Sequence, residues 1–211
     1  MVNAEQVEEQ TKNVKFAVEE TKEAKAITQK PKFVNNNENA KISNAQKGTL
    51  MHLCFQRLDE SKNYTMEQIK EFVQNLVNRD IITKQESDAI NITKLYEYTK
   101  SNLWQELKNA KEVHKEQPFY INLKSQDVYG NSSNDNILVQ GIIDLYYINS
   151  KGEIILVDYK TDRINNGEEQ KLIEKYSKQL EIYQKALEQS LQKNVSRKYI
   201  YSVTLGKEIM I

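Results

Sequence analysis

The sequence is poor in the residues that staple or punctuate a chain. Of its 211 residues, one is cysteine, two are proline and six are glycine. A single thiol, Cys54, excludes an internal disulfide and any metal centre built on a cysteine cluster. Within "LMHLCFQRL" it reads as a small buried hydrophobe, and a reducing cytoplasm fits. No two glycines frame a GxxxxGK[ST] phosphate loop, so the chain has no ATP site of that kind. No run of about 18 apolar residues exists, so no membrane-spanning helix is expected. The start, "MVNAEQVEEQTKNVKF", lacks the apolar stretch of a secretory signal. Net charge is lacking too: 30 basic residues balance 30 acidic ones. Any nucleic-acid binding must therefore use basic residues clustered locally, because phosphate neutralisation supplies most of that affinity.

What is present is the composition of a globular protein, 38% apolar and 28% charged. Residues 3–28 lack Gly and Pro and read as a polar helix with a thin stripe at Val7, Val14 and Val18. "KPKFVNNNENAKISNA" breaks it with Pro31 and an Asn cluster. Residues from about 45 to 110 read as helical. "GTLMHLCFQRLD" is apolar on most sides, and "TMEQIKEFVQNLVNR" opens with Thr65 and Gln68 in a capping-box pattern. "NITKLYEYTKSNLWQELKNA" continues the block. From about 112 the pattern changes to strands. "EVHKEQPFYINL" holds Pro118 and suits an edge strand. "ILVQGIIDLYYI" and "EIILVDYK" follow, then a helix over about 168–192, then "RKYIYSVTLGKEIMI" as strand. Helices, three strands, a helix and a strand describe an α/β domain around a mixed sheet.

Two acids stand where strands should be buried: Asp144 after "GII" and Asp158 after "IILV", with Lys160 two residues on. A three-residue turn, Ser150-Lys151-Gly152, places Gly where a left-handed residue is required. That turn pairs Asn149 with Glu153 and, further back, Asp144 with Asp158. The two carboxylates then lie about 5–8 Å apart at Cβ. Like charges so placed destabilise a sheet unless a cation intervenes. Oxygen donors at that distance suit Mg²⁺ or Mn²⁺. Lys160 shares the face of Asp158 and could orient a water or balance a phosphate. A blander reading stays open at this point: two acids facing solvent at strand ends, with Lys160 as a simple partner.

"GIID", "ILVDYKTD", "KPKF", "GTLMHLCFQRLD", "KEQPF" and "YSKQLEIYQKAL" occur in an order and spacing that resemble the PD-(D/E)XK nuclease superfamily. More narrowly, the set is similar to the RecB-type nuclease domains at the C-termini of the AddA chains of AddAB-type helicase–nucleases. The resemblance covers about residues 30–205. It implies a restriction-endonuclease-like core: a central mixed sheet flanked by helices, with a helical insertion. Residues 1–30 would be an N-terminal helical tether and 31–211 the nuclease domain.

The resemblance also implies roles. His52, Asp144, Asp158 and the backbone carbonyl of Tyr159 would hold the metal. Lys160 would act in catalysis with the two aspartates, and Gln179 and Tyr183 would steady the site or the nucleic acid. Glu116 matches a family acid of less certain role. The implied activity is Mg²⁺-dependent hydrolysis, Mn²⁺ being an alternative, of single-stranded DNA at duplex ends in double-strand-break repair and recombination. The implied partners are DNA, a helicase domain in cis and an AddB-type subunit, in a bacterial cytoplasm and away from membranes. Two rivals remain: a non-catalytic DNA-binding or subunit-docking use of the fold, and a phosphotransferase with Asp158 as nucleophile. The second expects an acid soon after the first, as D-x-D, which "DYK" lacks.

Overall fold

The computed structural model describes residues 41–129 and 135–211. The expected tether at 1–30, the Pro31 break and part of the loop before residue 135 lie outside the described residues. By its contacts the chain divides into two units, one of Lys41–Glu116 with Asp144–Ile211, the other including Gln117–Ile143.

The helical block begins with α1 (Asn44–Arg57) and α2 (Met66–Asn78). It continues through α3 (Lys84–Ala89), α4 (Ile92–Tyr98) and α5 (Asn102–Lys108). Capping boxes start three of these helices: Ser43 with Gln46, Thr65 with Gln68, and Thr83 with Glu86. In each, the hydroxyl takes an orphan N–H of the first turn while the third residue reaches back to the cap. The stretch read from sequence as one helical run over 91–110 is two short helices. Thr99 ends the first and Ser101 caps the second, its hydroxyl accepting from the Trp104 N–H.

The sheet has five strands in the order β1-β2-β3-β4-β5. These are β1 (Glu112–Lys124), β2 (Asn136–Ile148), β3 (Ile154–Lys160), β4 (Val195–Ser202) and β5 (Lys207–Met210). A short helix, α6 (Ser125–Tyr129), follows β1, and α7 (Glu169–Leu191) joins β3 to β4. β3 is antiparallel to β2 and parallel to β4, while β4 and β5 are antiparallel, so the sheet is mixed. β1 is an edge strand, as Pro118 requires. The last strand expected from sequence is two strands joined by a turn over 203–206.

All seven residues of β3 are buried, because both faces are covered. Ile155, Val157 and Tyr159 face the helical block, in one core with Phe55, Tyr98, Trp104 and Tyr201. On α7 the residues Leu172, Tyr176 and Leu180 pack with Ile200 and Ile209. Burying each large side chain contributes roughly 1.5–3 kcal/mol. Lys160, on the face of β3 opposite the helical block, reaches Gln179 of α7.

The β2–β3 turn has the expected length. Asn149 N–H donates to the Glu153 carbonyl at 3.0 Å, and Gly152 takes φ +86. The Asn149 side-chain oxygen accepts from the Lys151 and Glu153 N–H groups. Pairing then runs from Ile148↔Ile154 to Leu145↔Val157. One more step along that register brings Asp144 opposite Asp158.

Candidate metal centre

At that step the ladder gives way to side-chain bonding. The Tyr159 N–H donates to Asp144 Oδ2 at 2.8 Å. Asp144 therefore holds the strand end with its carboxylate, and its other oxygen, Oδ1, lies 3.3 Å from His52 Nδ1. His52 comes from α1. Gly48 lies one turn earlier on the same face, and a Cβ there would stand 2.9 Å from the Thr161 hydroxyl. The missing side chain lets α1 close on the end of β3, which carries His52 to Asp144. This close approach is the reason for glycine in "GTLMH".

The third member comes from β1. His114 stacks on Tyr146 of β2, with ring centroids 4.4 Å apart. Two residues onward on β1 and two back on β2, Glu116 and Asp144 come together. Glu116 has φ 52, a left-handed conformation that costs a non-glycine residue roughly 1–2 kcal/mol. Strain of this kind persists where surrounding structure imposes it, often at functional sites. One ligand atom from each of His52, Glu116 and Asp144 lies within 4.8 Å of the others, and all three residues are partly buried.

The cluster is electrostatically tense. Burial opposes charge on His52, but the Asp144 carboxylate prevails and holds the imidazole up at about 9. Burial and the neighbouring Asp144 push Glu116 up to about 7. Burial would likewise raise Asp144, yet His52, Lys160 and the Tyr159 N–H hold it below the usual carboxylate range. Two carboxylates share one imidazole, and one of them resists ionisation. A divalent cation would relieve that crowding, and the donor set of one nitrogen and two carboxylates fits such an ion.

Asp158 stands apart from this trio. It is 1% exposed, and Lys160, 6% exposed, has its Nζ 2.8 Å from Asp158 Oδ2. Lys160 also donates to Gln179 Oε1 at 2.9 Å and lies 4.1 Å from the Tyr176 ring centre. Gln179 Nε2 in turn donates to the Tyr183 hydroxyl at 2.7 Å. The sequence motif Q-x-x-x-Y thus becomes a brace behind the lysine. The expected direct meeting of Asp144 and Asp158 around one cation is replaced by two partnerships, Asp144 with His52 and Asp158 with Lys160. Each acid takes the cationic side chain nearest to it. Tyr159 reaches the site through its backbone, while its hydroxyl bonds Tyr98 at 2.7 Å inside the aromatic core. Cys54 is fully buried, and burial pushes its thiol up to about 12, as its reading as a core residue requires.

Sequence reasoning placed His52, Asp144, Asp158, Lys160, Gln179 and Tyr183 near one another. It left Glu116 at the margin and missed Gly48 with Thr161. The signal for Gly48 was available, since it precedes His52 by four residues.

A mixed sheet that brings acids, a histidine and a lysine to one strand end defines a class of α/β fold suited to divalent-metal chemistry. The chain belongs to the PD-(D/E)XK nuclease superfamily, whose family model matches residues 16–208. The core is the restriction-endonuclease-like α/β fold expected from the sequence. Among its relatives are the larger chains of ATP-dependent helicase/nucleases, those designated by the letter A. The chain is 35% identical over 190 residues to that of Clostridium novyi, covering 88% of this chain and 15% of that protein. It is 36% identical over 205 residues to that of Thermoanaerobacter sp. (strain X514), covering 95% and 16%. The Clostridioides difficile protein of the same name is 33% identical over 191 residues. The chain thus spans about 15–16% of the length of these relatives. Among the described residues no helix is long and apolar enough to cross a membrane.

Proposed function

We propose that this chain is a metal-dependent deoxyribonuclease domain that hydrolyses phosphodiester bonds of single-stranded DNA, working as an exonuclease. The observation that carries the reading is the convergence of His52, Glu116 and Asp144 at the strand end that also bears Asp158 and Lys160. His52 and Asp144 would hold the cation. Asp158 and the Tyr159 carbonyl complete the proposed donor set, since one carboxylate can serve both a cation and an ammonium. Mg²⁺ is the assigned ion, and the imidazole donor makes Mn²⁺ a close substitute. When bound, such an ion supplies polarisation of a phosphoryl oxygen and a water of lowered pKa.

The chain's own residues do the rest. His52 gives up the proton that Asp144 helps it keep, and so becomes a neutral ligand. Lys160, braced by Gln179 and Tyr183, presents a fixed ammonium where charge develops on the phosphate; charges preorganised in this way need no rearrangement during reaction. A water oxygen bonds to phosphorus, the bond from phosphorus to the leaving oxygen breaks, and one phosphate end and one hydroxyl end result.

The names of the relatives support a setting as one domain of a longer ATP-dependent helicase/nuclease. In that setting a helicase domain in cis would feed the strand from a duplex end, an AddB-type subunit would be the partner, and the work would be double-strand-break repair and recombination in a bacterial cytoplasm. The test is degradation of single-stranded DNA by this chain with Mg²⁺ or Mn²⁺. Equal rates for wild type and Asp158→Ala would sink the reading in favour of a non-catalytic docking module.

A further inference from the structure

We propose that a cavity at the C-terminal end of α1 binds one unstacked nucleotide of a single DNA strand and leads that strand to the candidate metal centre. The cavity has a volume of about 430 Å³, and Arg57, Asp59, Lys62, Phe72, Asn75 and Arg79 are among its walls. The inference takes its DNA from the nuclease reading but stands on residues that are not metal donors.

Three cations and one carboxylate face the space. The carboxylate is already engaged, for Asp59 accepts from the Ser61 N–H and hydroxyl at 3.0 and 2.6 Å and lies 3.3 Å from Lys62 Nζ. Arg57 and Arg79 are exposed, and neither guanidinium has a hydrogen bond or ion pair among the described residues. Guanidinium forks match phosphate oxygens in pairs. Phe72, Asn75 and Arg79 lie on one face of α2 and its end, at helical spacing. Phe72 is partly buried and supplies a ring on which a base can stack. A cavity of this size fits a single nucleotide, whereas stacked bases inside a duplex could not enter it.

The wall is rigid. The Asp59 N–H donates to the Tyr64 hydroxyl at 3.0 Å, Trp104 Nε1 donates to the Lys62 carbonyl at 3.3 Å, and Lys100 Nζ to the Tyr64 carbonyl at 2.8 Å. The wall is also tied to the metal centre. Lys115, next to Glu116, donates to the Leu58 carbonyl and to Glu60, each at 2.6 Å. Arg57 follows His52 by five residues, about 7.5 Å along the axis of α1. A strand held at the arginines is therefore held beside the proposed donors.

The experiment is fluorescence anisotropy of a labelled oligothymidylate with the 211-residue chain in EDTA, where no cleavage occurs, over a series of salt concentrations. Thermal unfolding of each variant controls for folding. Arg57→Ala and Arg79→Ala are expected to weaken binding and to lower the salt slope by about 0.7 each, the value for one phosphate contact on a single strand. Phe72→Ala is expected to cost between about five-fold and 150-fold on oligothymidylate and nothing on an abasic strand. Wild-type affinity in all three variants overturns the inference. So does displacement of the strand by polyglutamate as readily as by unlabelled oligothymidylate, which would assign the cavity to an acidic peptide. Binding that depends on these residues, in a chain that degrades no DNA with Mg²⁺ or Mn²⁺, upholds the cavity and overturns the nuclease reading. Metal-dependent degradation with binding indifferent to all three does the reverse.

Discussion

Two charged clusters sit at the end of β3, and their stoichiometry differs. Asp158 and Lys160 form a one-to-one pair, both almost wholly buried and closed off by Gln179. His52, Glu116 and Asp144 set two carboxylates against one imidazole and stay partly exposed. A buried charge persists when it is matched in number and geometry. The matched pair can therefore sink into the sheet. The unmatched trio must stay near water or take up a cation. Charge counting alone separates the part of the site that is self-sufficient from the part that is a receptor.

The largest effect should come from emptying the receptor of charge. Asp144→Asn keeps the shape and an oxygen for the Tyr159 N–H but removes the central carboxylate. Degradation of single-stranded DNA should fall on the order of 10²–10³-fold, the range for losing one preorganised electrostatic group. Calorimetric Mn²⁺ titration should show the affinity lost with it. Undiminished Mn²⁺ affinity would erase the distinction between the clusters.

The second test breaks the matched pair. Lys160→Met leaves Asp158 buried without its cation and should cost about 3–5 kcal/mol in urea unfolding. Asp158→Asn added to Lys160→Met should recover most of that, because the pair would then be absent rather than half present. If the double variant is no more stable than the single one, the two residues are not a self-sufficient unit.

Much of this arrangement was legible in the sequence where local rules act. The Ser150-Lys151-Gly152 turn set the β2–β3 register, and the Thr65 capping box set the start of α2. The burial of Cys54 followed from its neighbours. What was illegible depends on contacts between distant segments. Nothing local in "KEQPF" announces a left-handed Glu116, because that conformation is imposed by neighbouring strands. The carboxylate of Asp144 taking a backbone N–H is likewise a choice made only after β2 and β3 have met. The division of the last strand into β4 and β5 was missed because "SVTLGK" holds one Gly and no Pro to mark the turn.

The third test reads the tension inside the receptor. Glu116 is raised from the ordinary 4.5 to about 7, so folding favours its protonated form. Its contribution to stability is complete below about 4.5 and is lost as the pH rises through about 7. Glu116→Gln should therefore flatten the fall in metal-free stability across that window. At pH 8 it should make the metal-free protein more stable while weakening Mn²⁺ binding. Opposite signs in the two measurements mark a group kept for a ligand at the expense of the fold; loss of both would make Glu116 merely structural.

The smallest effect concerns how the receptor is assembled. Gly48→Ala places a methyl 2.9 Å from the Thr161 hydroxyl, closer than a Cβ ordinarily approaches an oxygen. Alanine also favours the helix by about 1 kcal/mol over glycine, so the net change in stability should be slight. Metal affinity should still fall about ten-fold, the low end of the range for residues that support ligands without binding the ion. His52 rides on the same helix face one turn later, and any outward shift of α1 carries it away from Asp144. Thr161→Ala removes the opposing hydroxyl, and the double variant should regain Mn²⁺ affinity. Affinity that stays low in the double variant would mean that Gly48 acts on the helix itself and not through its approach to β3. The matched pair, which α1 does not build, should keep its stability in every one of these variants.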